Sequence, residues 1–365
     1  MRIPRGPLKS TLVLLVVAGA LAVGLLAIQG RLIPRKPARD TIAFISTRAG
    51  HPDLWIMGTD GSSPRAITKD TRPDAAPSWS RDATRIVFTS AHSGTMQIFM
   101  VDAIGKRKPQ QLTIGTGVKL QPVFSPDGSR IAYLSQGRVY VIGADGAHIE
   151  PVLPSEAVGL ENAGIQGPFL EADWSADGRS LGVVQKSEGL QIPQVLEDLT
   201  GQPRIVTDLQ GRPLTGQRAS IKWAPAGRRL AVSTVAGNKG ALVVLDYDEE
   251  SVTLAVTDTA TGRAAWSPSG SQIAFEVLKY REGHGYSIVG LGVADLEEET
   301  HRVIASGEIL NPSWCSDGEL IIFTRTQEDG TRAVWSIRPD GSGARNLMRD
   351  RGDNYDAAVA PAVRE

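Results

Sequence analysis

The sequence predicts an all-β chain, a seven-bladed β-propeller closed by its C-terminal strand and preceded by one N-terminal transmembrane helix. Three observations carry this. A phrase returns six times: PSWSRDATRIVF from Pro77, PVFSPDGSRIAY from Pro122, ADWSADGRSLGV from Ala172, IKWAPAGRRLAV from Ile221, AAWSPSGSQIAF from Ala264 and PSWCSDGELIIF from Pro312. Its aromatic positions, Trp79, Phe124, Trp174, Trp223, Trp266 and Trp314, are 45, 50, 49, 43 and 48 residues apart, the period of a four-stranded blade. The chain ends are also complementary. Thr41 to Thr68 holds the last three strands of a blade without its first, and Val359 falls 45 residues after Trp314 in a stretch that aligns with Ala264 to Pro268. The C-terminus therefore completes blade 1, and closure removes the open edges a stack of sheets would expose.

Within each unit, a short apolar strand meets a tight turn built on Asp-Gly or a near equivalent. A second strand of β-branched and aliphatic residues follows, as in Arg130 to Leu134. A third strand is read at Leu54 to Gly58, Gln97 to Asp102, Val139 to Gly143, Leu242 to Tyr247 and Ala333 to Arg338. The fourth is read at Arg65 to Thr68, Gln110 to Thr113, Arg204 to Thr207 and Arg345 to Met348. All seven tryptophans fall on first or third strands, where a core role is expected. Cys315, the single cysteine, replaces a small residue of the repeat and reads as a packed thiol.

Ahead of the propeller, taken as residues 41–361, the chain divides into a short basic N-terminus (1–10), an apolar run (11–28) and a linker (29–40). The run TLVLLVVAGALAVGLLAI carries no charge and as a helix spans about 27 Å, enough to cross the hydrocarbon layer. It reads as an uncleaved signal anchor, with basic residues on both sides so that charge does not set its orientation. The linker, with its prolines and charges, reads as a stiff tether. Residues 1–40 hold seven basic side chains and one acidic; the remainder has 32 Lys and Arg against 39 Asp and Glu, a formal net charge of −7. An acidic propeller argues against nucleic acid as partner.

The one G-x-S-x-G match, Gly178-Arg179-Ser180-Leu181-Gly182, falls on the Asp-Gly hairpin of a repeat rather than on a strand-to-helix elbow, and no H-E-x-x-H, P-loop or dinucleotide fingerprint occurs, so neither a catalytic nor a cofactor site is expected from motifs. The Asp-Gly turns lack the dense carboxylates of a calcium loop and serve as hairpin turns. Connections between second and third strands share one face with the blade-to-blade crossovers. The candidate interaction face is placed there: Tyr280, Arg281, His284 and Tyr286 in a loop from Leu278 to Tyr286, with His51, His92, Arg325, Arg332 and Tyr355. Tyr and Arg are favoured anchors at interfaces. The longest connection, Leu153 to Glu171, lies on the same face, as does the tripeptide Arg351-Gly352-Asp353. A metal held by His51, His92 and His284 is the rival use of this face.

The phrase W-S-P-D-G-x-x-I-A-F, followed by S-x-R-x-G-x-x-x-[IL]-[WY]-x-M and x-D-G-S, resembles the repeats of TolB-like (PD40-type) propellers. IAFISTRAGHPDLWIMGTDGSSPRAIT from Ile42 is the clearest example. The resemblance covers Thr41 to Pro361. It implies an exported bacterial protein, monomeric in its propeller, that binds other envelope proteins without catalysis. The anchor stands where the family's founding protein has an α/β domain, and seven blades replace its six. Similar repeats in seven-bladed oligosaccharide lyases imply the alternative, a glycan or small-ligand receptor, lyase or hydrolase with histidines over the channel.

Overall fold

The computed structural model describes residues 41–103, 107–153, 167–237, 239–348 and 352–361. The apolar run 11–28, the linker and most of the connection between blades 3 and 4 lie outside the described residues, as does Arg351. Among the described residues no helix is long and apolar enough to cross a membrane.

The described chain forms seven antiparallel four-stranded sheets. Blade 1 joins Asn354–Val359 to Thr41–Ser46, Asp53–Gly58 and Arg65–Ala66, so the last strand supplies the first position, as expected. Blade 2 holds Asp74–Trp79, Arg85–Ser90, Gln97–Asp102 and Gln110–Gln111; blade 3 holds Lys119–Phe124, Arg130–Ser135, Arg138–Gly143 and Glu150–Leu153. Blade 4 comprises Phe169–Trp174, Leu181–Ser187, Leu190–Leu196 and Arg204–Ile205, and blade 5 comprises Arg218–Trp223, Arg229–Ala236, Lys239–Asp246 and Ser251–Val256. Blade 6 is Thr261–Trp266, Gln272–Arg281, Gly285–Asp295 and Thr300–Ser306; blade 7 is Ile309–Trp314, Ile321–Thr326, Arg332–Ile337 and Arg345–Asn346.

Several fourth strands are shorter than expected. In blades 1, 2, 4 and 7 they pair over two residues. In blades 1 and 2 the Thr that ends the motif leaves the ladder to cap the third strand. Thr68 Oγ1 accepts from Leu54 N at 2.8 Å and Thr113 Oγ1 from Ile98 N at 2.9 Å.

Core clusters lie between neighbouring sheets. One of them joins Ala43, Ile45 and Leu54 of blade 1 to Trp79, Ile86 and Phe88 of blade 2. The five first-strand tryptophans are buried, and four lock their sheet to the previous one. The indole N–H of Trp79 donates to Ala358 O at 2.9 Å, Trp174 to Val123 O at 3.3 Å, Trp266 to Lys222 O at 2.9 Å and Trp314 to Ala265 O at 3.0 Å. Trp55 and Trp335 are only half-buried; the guanidinium of Arg48 lies 4.6 Å from one ring centroid and that of Arg325 5.1 Å from the other. Cys315 is packed, as expected.

Arginines that open second strands reach the other way round the ring. Arg85 and Arg130 each donate to a turn carbonyl of the next blade, Gly128 and Gly178, at 2.8 Å. Their guanidinium groups lie over Phe124 and Trp174, 5.1 and 4.8 Å from the ring centroids. A planar guanidinium stacks and donates at once, which an ammonium cannot.

Candidate functional site

The first strands line the central channel, and the side chains that face it arise at a repeat position the sequence reading had passed over. Three residues before each aromatic position stand Ala76, Gln121, Glu171, Ser220, Arg263 and Asn311, with Asp356 at the corresponding place before Val359. A cavity of about 720 Å³ runs among all seven first strands toward the Asp-Gly turns. A second, of about 440 Å³, sits at the opposite mouth beside blades 4 to 7. At the turn end Arg81 donates across the channel from blade 2 to Pro225 O of blade 5 at 2.7 Å.

Backbone geometry divides the channel wall in two. In blades 2, 3, 7 and 1, which are contiguous around the ring, the inward residue has positive φ: Ala76 at 50°, Gln121 at 49°, Asn311 at 53° and Asp356 at 52°. At each of these the ladder to the second strand slips. A bulge of this kind re-aims side chains and frees backbone groups, at a conformational cost of roughly 1–2 kcal/mol for a non-glycine residue. In blades 4, 5 and 6 the corresponding residues, Glu171, Ser220 and Arg263, do not have positive φ, and Glu171, Arg263 and the nearby Lys222 bring charge to the wall.

Carboxylates bind the freed and facing N–H groups, within blade 6 and across blade boundaries. Glu276 Oε1 accepts from Asn311 N at 3.0 Å, and its Oε2 from Arg263 N at 3.1 Å. Glu171 takes Ser220 Oγ at 3.2 Å and Ile221 N at 3.4 Å, while Asp173 takes Trp223 N at 2.8 Å and Lys222 Nζ at 2.7 Å. Burial pushes the Glu171 and Glu276 carboxyls up from the usual carboxylate range. Burial also opposes the Lys222 charge, but Asp173 more than offsets it and holds the ammonium above its ordinary value. The Lys222 side chain is 43 % exposed, wetted by the channel. Asn311 Oδ1 accepts from Arg263 Nη1 at 2.8 Å, and its Nδ2 donates to Asp356 Oδ1 at 3.3 Å. The result is a fixed polar wall assembled from residues that the sequence scatters over five blades.

The face expected to carry interactions forms as a face: Thr47 N donates to Asp353 O, Asp74 N to Pro52 O and Lys119 N to Met96 O, tying the loops between second and third strands to crossovers or first strands. Its residues do not form one cluster. The supposed loop Leu278 to Tyr286 is a correction. Its residues continue the second and third strands of blade 6, Leu278 opposite Ile288 and Arg281 opposite Gly285, with Glu282 to His284 as the only turn. A bulge after Val277 lets the ladder run on past the other blades, and the Tyr280 and Tyr286 rings pack with centroids 5.1 Å apart. Tyr286 OH donates to Gln217 Oε1 of blade 5 at 2.8 Å, so this hairpin overhangs the polar mouth. Arg281 and His284 are exposed on it.

Arg325 lies over Trp335 of its own blade, whereas Arg332 and Tyr355 meet across the boundary between blades 7 and 1. Arg332 forms a two-pronged ion pair with Asp353, and its guanidinium carbon lies 3.7 Å from the Tyr355 ring centroid, which latches blade 7 to the closing strand. His51 and His92 sit on the loops of blades 1 and 2 and His284 on the hairpin tip of blade 6. His92 Nδ1 is 3.1 Å from Asp70 Oδ2. Among the described residues no group of three or more His, Cys, Asp or Glu is placed to share a metal ion.

At the start of the blade 2 first strand, buried Asp74 accepts from Leu54 N and Thr68 Oγ1, and burial raises its pKa from 3.8 to about 6. Between those values the unfolded chain gives up this proton first, so stability falls as pH rises from about 4 to 6 and the full cost persists at neutral pH. Asp74→Asn, which stays neutral, is expected to stabilise the fold at pH 7.5 by up to about 3 kcal/mol. The gain should shrink toward zero at pH 4. Thermal melts at the two pH values check this, and an equal effect at both would refute it.

Comparison with known proteins places these features in context. Residues 34–139 match the TolB beta propeller domain family, PD40. The Tol-Pal system protein TolB of Francisella tularensis subsp. mediasiatica is 24 % identical over 276 residues, 72 % of this chain and 59 % of that one. The chain thus spans about three-fifths of the length of that relative. TolB from Acinetobacter baumannii shares the fold with a TM-score of 0.54 and 18 % identity, over 88 % of this chain and 67 % of that structure. An oligogalacturonate lyase in complex with manganese shares it at 0.58 and 13 % identity, over 86 % of both. A Mycobacterium tuberculosis puromycin-hydrolyzing peptidase shares it at 0.62 and 16 % identity, over 86 % of this chain and 52 % of that structure.

Proposed function

The propeller is of the TolB-like, PD40 type, and from that premise we propose that the chain is a scaffold that binds another protein of the bacterial cell envelope, with no catalysis of its own. In this reading residues 11–28 anchor it in the membrane, and the propeller works on the extracytoplasmic side as a monomer. The observation that carries the reading is the polar mouth, where charged side chains from several blades are held at fixed positions beneath the overhanging Tyr280–Tyr286 hairpin. A rigid concave surface lowers the ordering cost of association, and tyrosine and arginine are the side chains that most often anchor such contacts. The relatives named for the Tol-Pal system support the same class of partner.

Crosslinking in cells followed by purification tests it. One specific envelope protein is expected with the full chain and should be lost when Tyr280, Arg281, His284 and Tyr286 are all alanine; capture of nothing specific by the intact chain would end the scaffold reading. A channel-bound glycan is the second reading. It is favoured by the cavity of about 720 Å³, within the usual range of small-ligand sites, and by likeness to the oligogalacturonate lyase over 86 % of both chains. A thermal shift with oligogalacturonate, or its cleavage, would move the assignment there.

A further inference from the structure

The carboxylates of the channel mouth have their partners, whereas its arginines have donors left over. Both oxygens of Glu276 are taken by backbone N–H groups, and so are oxygens of Glu171 and Asp173. Arg263 uses one guanidinium nitrogen, on Asn311, and this contact orients the fork while leaving its other N–H groups free. Arg218, at the start of the neighbouring first strand, has no hydrogen-bond or ion-pair partner among the described residues, its charge, like that of Arg263, acting on Glu276 only at longer range, and both arginines are exposed. They line the same cavity of about 440 Å³, together with the apolar side chains of Leu278, Ile288 and Leu310. The blade 6 hairpin, hydrogen-bonded to Gln217 next to Arg218, walls one side.

Guanidinium forks match a carboxylate in plane and spacing, and a pair of them with donors to spare in a concave site suits a carboxylate ligand. The surroundings narrow the ligand further. A propeller of net charge −7, with Glu171, Glu276 and Asp356 in the same cavity, penalises any ligand with several negative charges, phosphate included. A single carboxylate beside an apolar group meets both halves of the lining, and a chain end can enter a walled mouth without bending back. We propose that this mouth receives the C-terminus of a polypeptide, its terminal carboxylate on Arg263 and Arg218 and its last side chain against Leu278, Ile288 and Leu310. This rests on the scaffold reading and specifies the chemistry of its partner.

The test uses the full chain in detergent and two pools of fluorescein-labelled hexapeptides randomised at the last three positions. One pool ends in a free carboxylate and the other in an amide. At least tenfold stronger retention of the free-acid pool is expected, with Arg263→Gln and Arg218→Gln each reducing that preference about threefold, equivalent to about 0.7 kcal/mol, and the double variant abolishing it. Because both side chains are exposed, melting temperatures should stay at the wild-type value, and either single variant suffices if the other misfolds. Equal retention of the two pools, retention of neither, or a preference that survives in the double variant would overturn the proposal. Envelope-protein capture by crosslinking separates the two levels. If the double variant still captures the partner, the scaffold reading stands and the C-terminal receptor falls.

Discussion

Removal of residues 357–365 is expected to destabilise the fold by on the order of 5 kcal/mol and lower its melting temperature by roughly 10 °C or more. The closing strand is held on both sides. Val359 pairs with Ile42 and Ala358 with Ala43, Ala360 N donates to Thr41 O at 2.8 Å, and the Trp79 indole donates to Ala358 O at 2.9 Å. Ala357, Val359 and Ala360 are buried against Ile42, Phe44, Ile45 and Trp79. Deletion therefore takes away apolar cover and several hydrogen bonds, each worth about 0.5–1.5 kcal/mol net, and leaves the inner edge of Thr41–Ser46 unpaired. A melt followed by circular dichroism decides the matter: an unchanged transition would mean that blade 1 does not depend on its C-terminal strand.

The second large effect is expected at Gly292. It lies directly opposite Phe275 in the blade 6 ladder, and a Cβ built on it would stand 2.3 Å from Phe275 Cζ and 2.5 Å from Cε2. Phe275 is fully buried, so its ring has nowhere to turn without displacing the core between blades 5 and 6. Gly292→Val should cost about 3 kcal/mol or more, by overpacking and by loss of the aromatic contacts. Shortening the ring in the double variant Gly292→Ala, Phe275→Leu should recover much of the loss suffered by Gly292→Ala alone, measured as a coupling energy in a double-mutant cycle. Purely additive effects would show that the two positions do not share this space.

The blades, their turns and the closure were legible in the sequence because each depends on local chemistry repeated at a fixed period. Alternating β-branched residues specify strands, Asp-Gly and its equivalents specify turns, and the incomplete blade at residue 41 has one possible complement in the chain. The hairpin of blade 6 was misread as a loop because Tyr280, Arg281 and His284 are polar, and only their ladder partners across the turn make them strand or turn residues. The channel wall was missed for a different reason. A signal was present, since Glu171, Arg263, Asn311 and Asp356 are polar residues at one position of the repeat. Yet nothing in the order of residues says that a bulge will aim Asn311 inward, or that Glu276 will take its N–H. Sequence by itself determined the number of blades, the strand pattern and the joining of the ends, because hydrogen-bonded ladders and tight turns are set by neighbours along the chain. Tertiary structure alone decided which charges meet in the channel and which are left unmatched, because the ring brings together side chains far apart in the chain, and their hydrogen bonds exist only once it closes.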